Sequence, residues 1–170
     1  TVAAGEPIFH DKDFESIKIT SPVCGTITDI VRGERRKIEA VVIEKSDATT
    51  PLSFDTNSNT PAKVLLQSGL WAALRQRPYD IVPRPDAKPR DIFVTCFDSA
   101  PLAPDLYHYI KGKRNVLEKA VAVLNTLTSG RVYLGCRPES KIELEGAVTN
   151  VFYGPHPAGN VSIQIANTIP

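Results

Sequence analysis

Two polar residues follow predicted strands, at the positions where a parallel sheet binds its ligands. Asp98 directly follows the apolar run Ile92–Phe97, and His156 lies at the tip of the glycine-flanked segment GPHPAG at 154–159. Open α/β sheets bind ligands at the carboxyl ends of their strands, so both residues are ligand candidates. Each also has a purely structural interpretation. Asp98 could cap a turn, and the segment around His156 could be a stiff, solvent-exposed turn.

The sequence contains no recognisable catalytic constellation. His10, His108 and His156 show no HxxxH or HxxE pairing, and no serine lies in a GxSxG context. The segment after the first apolar run reads DSAPLAP, with no glycine before Gly112, whereas a phosphate loop needs glycines for close backbone approach. We therefore expect no catalytic residue, no metal and no cofactor held by this chain.

A third candidate region combines the only tryptophan with nearby arginines. Trp71 precedes Arg75 and Arg77, and prolines follow at 78, 83 and 85. Tryptophan and arginine are typical binding hot spots, which predicts a docking or ligand-facing element. The alternative is a connector in which Trp71 fills a domain seam and the arginines are solvated. The pattern predicts a helix from about Lys63 to Gln76, stopped by Pro78, and an extended chain beyond it.

Composition excludes several classes of protein. Twenty basic and nineteen acidic residues give a net charge of +1, which provides no field to attract nucleic acid. No apolar run is long enough for a membrane span, so we expect no span and a chain that is soluble by itself. Three widely spaced cysteines without a CxxC predict buried thiols in a reducing compartment. Because the chain starts at Thr1 and contains no Met, we expect either a fragment or a sequence with modified methionines omitted.

The pattern of elements predicts an α/β protein with three parts. Residues 1–47 contain short apolar strands and predict a small β unit, and residues 48–62 are linker-like, with Asn59 or Thr60 capping a helix that begins near Pro61. Residues 63–170 predict a Rossmann-like domain. Its strand 92–97, buried on both faces, precedes an amphipathic helix at 116–127 that Gly130 ends in a left-handed conformation. Strands at 131–135 and 147–153 follow, and 161–169 is helix or strand.

The β unit carries a first resemblance. GEPIF at 5–9 and TSPVCGTIT at 20–28 resemble the repeating half of a lipoyl- or biotinyl-carrier barrel. Such carriers present a lysine at a hairpin tip for a prosthetic group. Here RGERR at 32–36 occupies that position, which argues against a swinging-arm role. A carrier domain with a covalently attached group nevertheless stays one of the alternatives.

Four segments together resemble one family. They are TSPVCGTITDIVRGERRKIEAVVIE at 20–44, SGLWAALRQRPYDIVP at 68–83, PRDIFVTCFDSAPLAPD at 89–105 and GPHPAGN at 154–160. In this order they resemble the A subunit of the Na+-translocating NADH:quinone oxidoreductase. The chain is more distantly similar to the C subunit of the Rnf complex and the flavin-binding subunit of respiratory complex I.

The resemblance implies a peripheral subunit on the cytoplasmic face of the bacterial inner membrane. It implies that the chain supports electron transfer from NADH to quinone, coupled to sodium export, as a scaffold and interaction region. NADH, flavins and quinone would belong to the whole complex, and the other subunits would be the partners, with quinone as a further candidate. The alternative, a flavin- or dinucleotide-binding oxidoreductase domain, needs the missing glycine-rich loop.

Overall fold

The computed structural model describes residues 1–47, 49–55 and 60–169, which fold as two compact units. Unit 1 comprises Thr1–Asp86 and unit 2 comprises Ala87–Pro170. The predicted linker at 48–62 lies inside unit 1. The division of the chain into domains at 1–47 and 63–170 therefore stays a prediction.

Unit 1 begins with two antiparallel strand pairs. Strand β1 (Pro7–His10) pairs with β2 (Lys18–Thr20), and β3 (Gly25–Arg32) pairs with β4 (Ile38–Lys45). The β3–β4 pair is a hairpin whose turn, Glu34–Arg36, coincides with the predicted tip. Most of its side chains are exposed, including several apolar ones: Ile30, Val31, Ile38 and Val42. Within the described residues these strands do not close into a barrel.

The segment after the linker confirms one prediction and corrects another. Helix α1 (Pro61–Gln67) begins with Thr60 at the cap position and Pro61 at its first position, as predicted, whereas Asn59 lies outside the described residues. The helix does not continue to Gln76. Gly69 adopts a left-handed conformation (φ 78°), which breaks the α-helix, and a short 3-10 turn, Leu70–Ala73, follows it.

The chain beyond this turn is not simply extended, as the prolines had suggested. Gln76 and Ile81 form an isolated antiparallel bridge, with the Gln76 N–H donating to the Ile81 carbonyl at 2.7 Å. The residues between them form a tight turn. The mistaken prediction arose because proline restricts backbone angles without specifying whether the chain doubles back.

Unit 2 is built on a three-stranded parallel sheet with the order β5 (Ile92–Thr95), β6 (Val132–Cys136), β7 (Ala147–Val151). Helices α2 (Leu106–Ile110) and α3 (Arg114–Asn125) connect β5 to β6. A loop with a 3-10 turn, Pro138–Ser140, connects β6 to β7. The chain ends in α4 (Val161–Thr168), so the last segment, for which helix and strand were both open, is a helix.

The two faces of the sheet are covered by different helices. The core on one face contains Val121 of α3 packed with Val132, Leu134, Cys136 and Leu144. On the other face Phe93 stacks on Tyr133 at 4.8 Å between ring centroids, and Gln164 of α4 packs against Gly135. The most buried strand is the central β6, whereas β5 is half-buried. The prediction that the first strand is buried on both faces is wrong because β5 lies at the edge of the sheet.

Gly130 does not act as a left-handed helix cap. Helix α3 ends at Asn125 with Thr126 in a right-handed conformation (φ −75°). Gly130 instead approaches the Arg90 backbone so closely that a Cβ atom would collide with the Arg90 carbonyl oxygen. The glycine is needed for close packing of the turn that enters β6, not for a positive φ.

The predicted fold class, a small β segment followed by an α/β region, is confirmed in these elements. The strand–helix–strand unit predicted from the apolar runs corresponds to β5, α3 and β6. Because β5, β6 and β7 run parallel, their carboxyl ends meet at one edge of unit 2. That edge carries two of the predicted site residues.

Candidate functional site

The carboxyl edge of the sheet brings the loops after β5 and β7 into contact. Ser99, in the loop after β5, places its hydroxyl oxygen 3.2 Å from Nδ1 of His156, in the loop after β7. Asp98 is the neighbour of Ser99. The edge therefore gathers both predicted residues, although their contact passes through a serine that was not singled out from the sequence.

Ser99 also fixes the backbone of the second loop. The Gly159 N–H donates to the Ser99 hydroxyl at 2.8 Å. A Cβ atom on Gly159 would lie 2.5 Å from the Ser99 backbone nitrogen, so only glycine permits this approach. Because β6 separates β5 from β7, the loop that carries His156 crosses the carboxyl end of the central strand to reach Ser99.

A network of buried hydrogen bonds holds the loop after β7 at this edge. Gln164 is only 1% exposed, and its carboxamide donates to the Thr95 hydroxyl at 3.0 Å and to the Ala158 carbonyl at 3.3 Å. The Thr95 hydroxyl lies 3.1 Å from the Gly159 carbonyl oxygen. Buried polar groups of this kind are costly unless they are paired, so the network specifies one arrangement of the loop.

Asp98 has a structural role in its own loop. Its carboxylate accepts a hydrogen bond from the Ala100 N–H at 2.8 Å, which is the turn-capping geometry predicted as one of its two roles. The side chain is nevertheless exposed, so its second oxygen faces solvent. Whether Asp98 contacts a ligand stays a prediction.

Arg137 adds a cation to the same edge. It directly follows β6, and its guanidinium lies 4.9 Å from the centroid of the Phe97 ring, with Glu139 4.0 Å away. Stacking on an aromatic ring orients the guanidinium while it stays charged. Arg137 was not predicted as a site residue, although its position immediately after the second strand is the signal that could have identified it.

The contact between Ser99 and His156 is a serine–histidine pair at this edge. In the neutral His156 tautomer protonated at Nε2, Nδ1 accepts the Ser99 hydroxyl hydrogen. Among the described residues, no carboxylate contacts the other ring nitrogen, so the serine–histidine contact lacks the third member of a catalytic triad. The His156 imidazole is exposed at this edge, and the Arg137 side chain is partly exposed.

Trp71 lies in unit 1 and is buried, with 3% of its surface exposed. Its indole N–H donates to the Pro83 carbonyl at 2.9 Å, which ties the turn at Leu70–Ala73 to the chain that follows the tight turn. Arg75 is exposed and donates to the carbonyls of Ala72 and Leu74, and Arg77 pairs with Asp80 at 3.6 Å. The three predicted residues thus belong to one loop, in which Trp71 faces inward.

The outward face of that loop is apolar and cationic. Leu70 is 60% exposed, Tyr79 is 74% exposed and Ile81 is 53% exposed, and Arg75 lies among them in the sequence. We call residues 70–81 the Trp71 loop. The segment was predicted from its tryptophan, whereas its exposed apolar side chains are the leucine, tyrosine and isoleucine.

Unit 2 also contains an apolar cavity of about 290 Å3 on the α3 side of the sheet. Side chains from α2, α3, β5 and β6 line it, together with Cys96, and one of the lining residues, Tyr109, is 61% exposed. The described residues contain no group of three potential metal ligands. No helix in the described part of the chain is long and apolar enough to cross a membrane.

Comparison with known proteins identifies the family. The family model for the NqrA N-terminal barrel-sandwich hybrid domain matches residues 1–46, and the model for the NqrA second alpha/beta domain matches residues 56–170. The chain belongs to the NqrA family. The resemblance proposed from the four sequence segments is therefore confirmed, and the matched domains agree with the β segment and the α/β region seen in the structure.

Curated relatives of the NqrA family are similar along nearly the whole chain. The A subunit of the Na(+)-translocating NADH-quinone reductase from Rhodopirellula baltica is 37% identical over 99% of this chain and 40% of its own length. The proteins of the same name from Shewanella amazonensis and Saccharophagus degradans are 38% and 40% identical, over 99% and 96% of this chain. The chain spans about 40% of the length of the curated relatives it matches.

Proposed function

We propose that this chain is the scaffold and interaction region of a peripheral subunit in a Na+-pumping NADH:quinone oxidoreductase. The observation that carries the proposal is the Trp71 loop, in which a buried indole holds exposed apolar and cationic side chains in one conformation. Exposed aromatic and arginine side chains on a rigid loop are typical of protein interfaces. Membership of the NqrA family supplies the partners, namely the other subunits of the complex.

The wider role follows from the names of the relatives. In this proposal the whole subunit supports electron transfer from NADH to quinone coupled to sodium export, and it lies on the cytoplasmic face of the bacterial inner membrane. NADH and flavins bind elsewhere in the complex. The chemistry of the described residues supports this, because the carboxyl edge of the sheet offers recognition groups without a catalytic triad.

Hydrogen bonds at the carboxyl edge of the sheet argue against nucleotide binding in this proposal. The Ala100 N–H donates to Asp98 and the Gly159 N–H donates to Ser99, so two backbone donors at the carboxyl edge already have partners. A pyrophosphate would need such donors to be free. Family membership agrees with a subunit of the quinone reductase rather than with a separate flavin- or dinucleotide-binding enzyme.

Quinone is the small molecule that unit 2 could contact in this proposal. The cavity beside α3 is lined mainly by apolar side chains, and its volume of about 290 Å3 lies just below the roughly 300–1,000 Å3 typical of small-molecule pockets. A quinone ring fits this volume, whereas a long isoprenoid tail would have to leave through the opening at Tyr109. The exposed Asp98 and His156 are separate candidates for contact with a ligand or another subunit.

The interface proposal is tested in the full-length subunit expressed with its complex. The double variant Tyr79→Ala/Arg75→Glu removes the exposed aromatic side chain and reverses one charge, and it leaves Trp71 unchanged. We expect at least about a tenfold loss of co-purifying subunits, since an interface hot spot contributes about 2 kcal/mol or more. The matched control is Val116→Ala, which alters an exposed apolar residue of unit 2.

Normal assembly and turnover of the Tyr79/Arg75 variant, with a folded subunit, would contradict the interface proposal.

The expectation that this chain binds no nucleotide cofactor is tested separately by titrating the purified chain with FMN and with NADH. We expect no saturable binding of either, and micromolar binding would support the flavin or dinucleotide alternative. Quinone contact is tested by titrating a short-tail quinone against the chain and its Ala120→Phe variant, which narrows the cavity, with Ala122→Phe as control.

A further inference from the structure

Two of the three cysteines are neighbours across the sheet of unit 2. Cys136 is the last residue of β6, and Cys96 directly follows β5. Thr95 pairs with Gly135 in the parallel register, and the Cys96 N–H donates to the Gly135 carbonyl at 2.8 Å. The next pair along the two strands is therefore Cys96 beside Cys136.

Both thiols lie on the same face of the sheet. Cys136 belongs to the buried core on the α3 side, and Cys96 packs against that core. Neighbouring strands are about 4.8 Å apart, which lies inside the range of roughly 4.4–6.8 Å between the Cα atoms of disulfide-bonded cysteines. Both cysteines are free in this structure, so the pair is in the dithiol state.

The surroundings favour a thiolate at one member of the pair. The neighbouring Cys96 thiol, the Ile142 backbone and the nearby Lys141 ammonium lower the pKa of Cys136, although burial opposes them. The Cys136 sulfur and burial raise the pKa of Cys96, whose thiol donates to the Val94 carbonyl at 3.9 Å. Cys136 is thus the base of the pair, which takes the Cys96 proton when the Cys96 sulfur reacts.

A route to the pair exists through the apolar cavity. Cys96 lines it together with Tyr109, which is 61% exposed, whereas Cys136 is fully buried and does not line it. A small uncharged solute in the cavity therefore meets the Cys96 sulfur first.

We propose that Cys96 and Cys136 are a reversible dithiol–disulfide pair that a hydroperoxide oxidises through this cavity. The Cys96 sulfur attacks one peroxide oxygen while the Cys136 thiolate takes the Cys96 proton. The O–O bond breaks, and a sulfenic acid on Cys96 and hydroxide form; the hydroxide takes up a proton from solvent to become water. The Cys136 sulfur then attacks the Cys96 sulfur. The S–O bond breaks, and the departing hydroxide takes the Cys136 proton. Two thiols and hydrogen peroxide yield one disulfide and two waters, with two electrons passing from sulfur to oxygen.

The third cysteine provides an internal control. Cys24 lies in unit 1, is buried, and its sulfur accepts a hydrogen bond from the Ala4 N–H at 3.2 Å. It is in the other compact unit from Cys96 and Cys136. Oxidation that proceeds by the proposed route spares it, whereas non-specific oxidation does not.

The experiment counts thiols before and after oxidation of the purified chain. The protein is treated with hydrogen peroxide, quenched, unfolded without reductant, alkylated and mapped by mass spectrometry. We expect three alkylated cysteines before treatment and one, Cys24, afterwards, together with a cross-linked peptide pair containing Cys96 and Cys136. Dithiothreitol should restore all three. The Cys24→Ala variant should behave like the parent chain, apart from the missing Cys24 thiol.

Single variants separate the two steps. With Cys136→Ala we expect a sulfenic acid on Cys96 that dimedone traps. With Cys96→Ala we expect the fully buried Cys136 to react at least about tenfold more slowly than Cys96 does in the parent chain. The proposal is overturned if the parent chain retains three free thiols at peroxide levels that oxidise cysteine in a folded control protein. It is equally overturned if a disulfide forms only through Cys24 or between molecules. Because the parent chain alone gives these outcomes, the test does not depend on whether the variants fold.

Discussion

The indole N–H of Trp71 donates to the carbonyl of Pro83 at 2.9 Å, across a gap of twelve residues in the sequence. This bond joins the 3-10 turn at Leu70–Ala73 to the chain that leaves the Trp71 loop. The residues between the two ends include the exposed tyrosine and both arginines. The indole therefore determines how the rest of the loop is presented to solvent.

Truncation of Trp71 should destabilise unit 1 strongly. We expect Trp71→Ala to lower the free energy of unfolding by about 3–5 kcal/mol, because it removes a large buried aromatic side chain. Trp71→Phe keeps most of the side-chain volume but leaves the Pro83 carbonyl without its donor. We expect the lost hydrogen bond to lower the free energy of unfolding by about 1–3 kcal/mol. Urea unfolding measures both. Leu70→Ala, at a 60% exposed neighbour, is the control and should change stability by less than about 0.5 kcal/mol.

Gln164 should be the most sensitive polar residue of unit 2. Gln164→Ala removes the donor to Thr95 and Ala158 and leaves buried polar atoms unpaired, at a cost of about 1–3 kcal/mol. Amide hydrogen exchange should also accelerate in the loop that contains Gly159. Asn167→Ala on the same helix alters an exposed side chain and should have little effect. Unchanged exchange in Gln164→Ala would show that the loop is held by other contacts.

Glycine substitutions should distinguish close packing from backbone conformation. Gly130→Ala places a methyl group against the Arg90 carbonyl, and we expect a loss of about 1–3 kcal/mol from overpacking. Gly112→Ala meets no atom within 4 Å but requires a left-handed conformation at φ 76°. It should cost about 1–2 kcal/mol through strain alone. Thermal unfolding of both variants measures the difference, and a neutral Gly130→Ala would contradict the close approach.

The paired thiols should make stability depend on pH in the alkaline range. The folded-state pKa of Cys136 is lowered to about 7, below its ordinary value, so the folded chain binds fewer protons than the unfolded chain between these two values. Stability should therefore rise with pH across that window. Above the ordinary pKa of a thiol, stability should fall with pH. The raised pKa of Cys96 keeps its thiol protonated in the folded chain, whereas the unfolded chain loses that proton. Denaturant unfolding from pH 6 to 10 should show this maximum, and Cys136→Ala should abolish the rise.

The parts of unit 2 that depend on local apolar patterning were predictable from the sequence. Apolar residues at three- and four-residue spacing, from Val116 to Leu127, identified α3, and the apolar runs identified β5 and β6. The order of the strands was not predictable in this way, so the half-burial of β5 was missed. An edge strand and a central strand can share the same composition, and only the pairing of β6 on both sides distinguishes them.

The site was predicted in part for a similar reason. Asp98 and His156 were identified because they follow strands, and strand ends are local features of the sequence. Ser99, Arg137 and Gln164 escaped notice because their roles arise from contacts between distant segments, such as the hydrogen bond between Thr95 and Gln164. Trp71 was identified by its residue type, whereas its inward orientation depends on a turn at Gly69 that the prolines downstream did not indicate.

The β3–β4 hairpin has a practical consequence for work with this chain. A two-stranded ribbon is marginally stable by itself, and its outer edges carry unpaired backbone donors and acceptors. With Ile30, Val31, Ile38 and Val42 facing water, copies of the isolated chain have a template for adding strands to one another. Concentrated samples should therefore self-associate through unit 1, and a charged residue at Val42 is the simplest remedy.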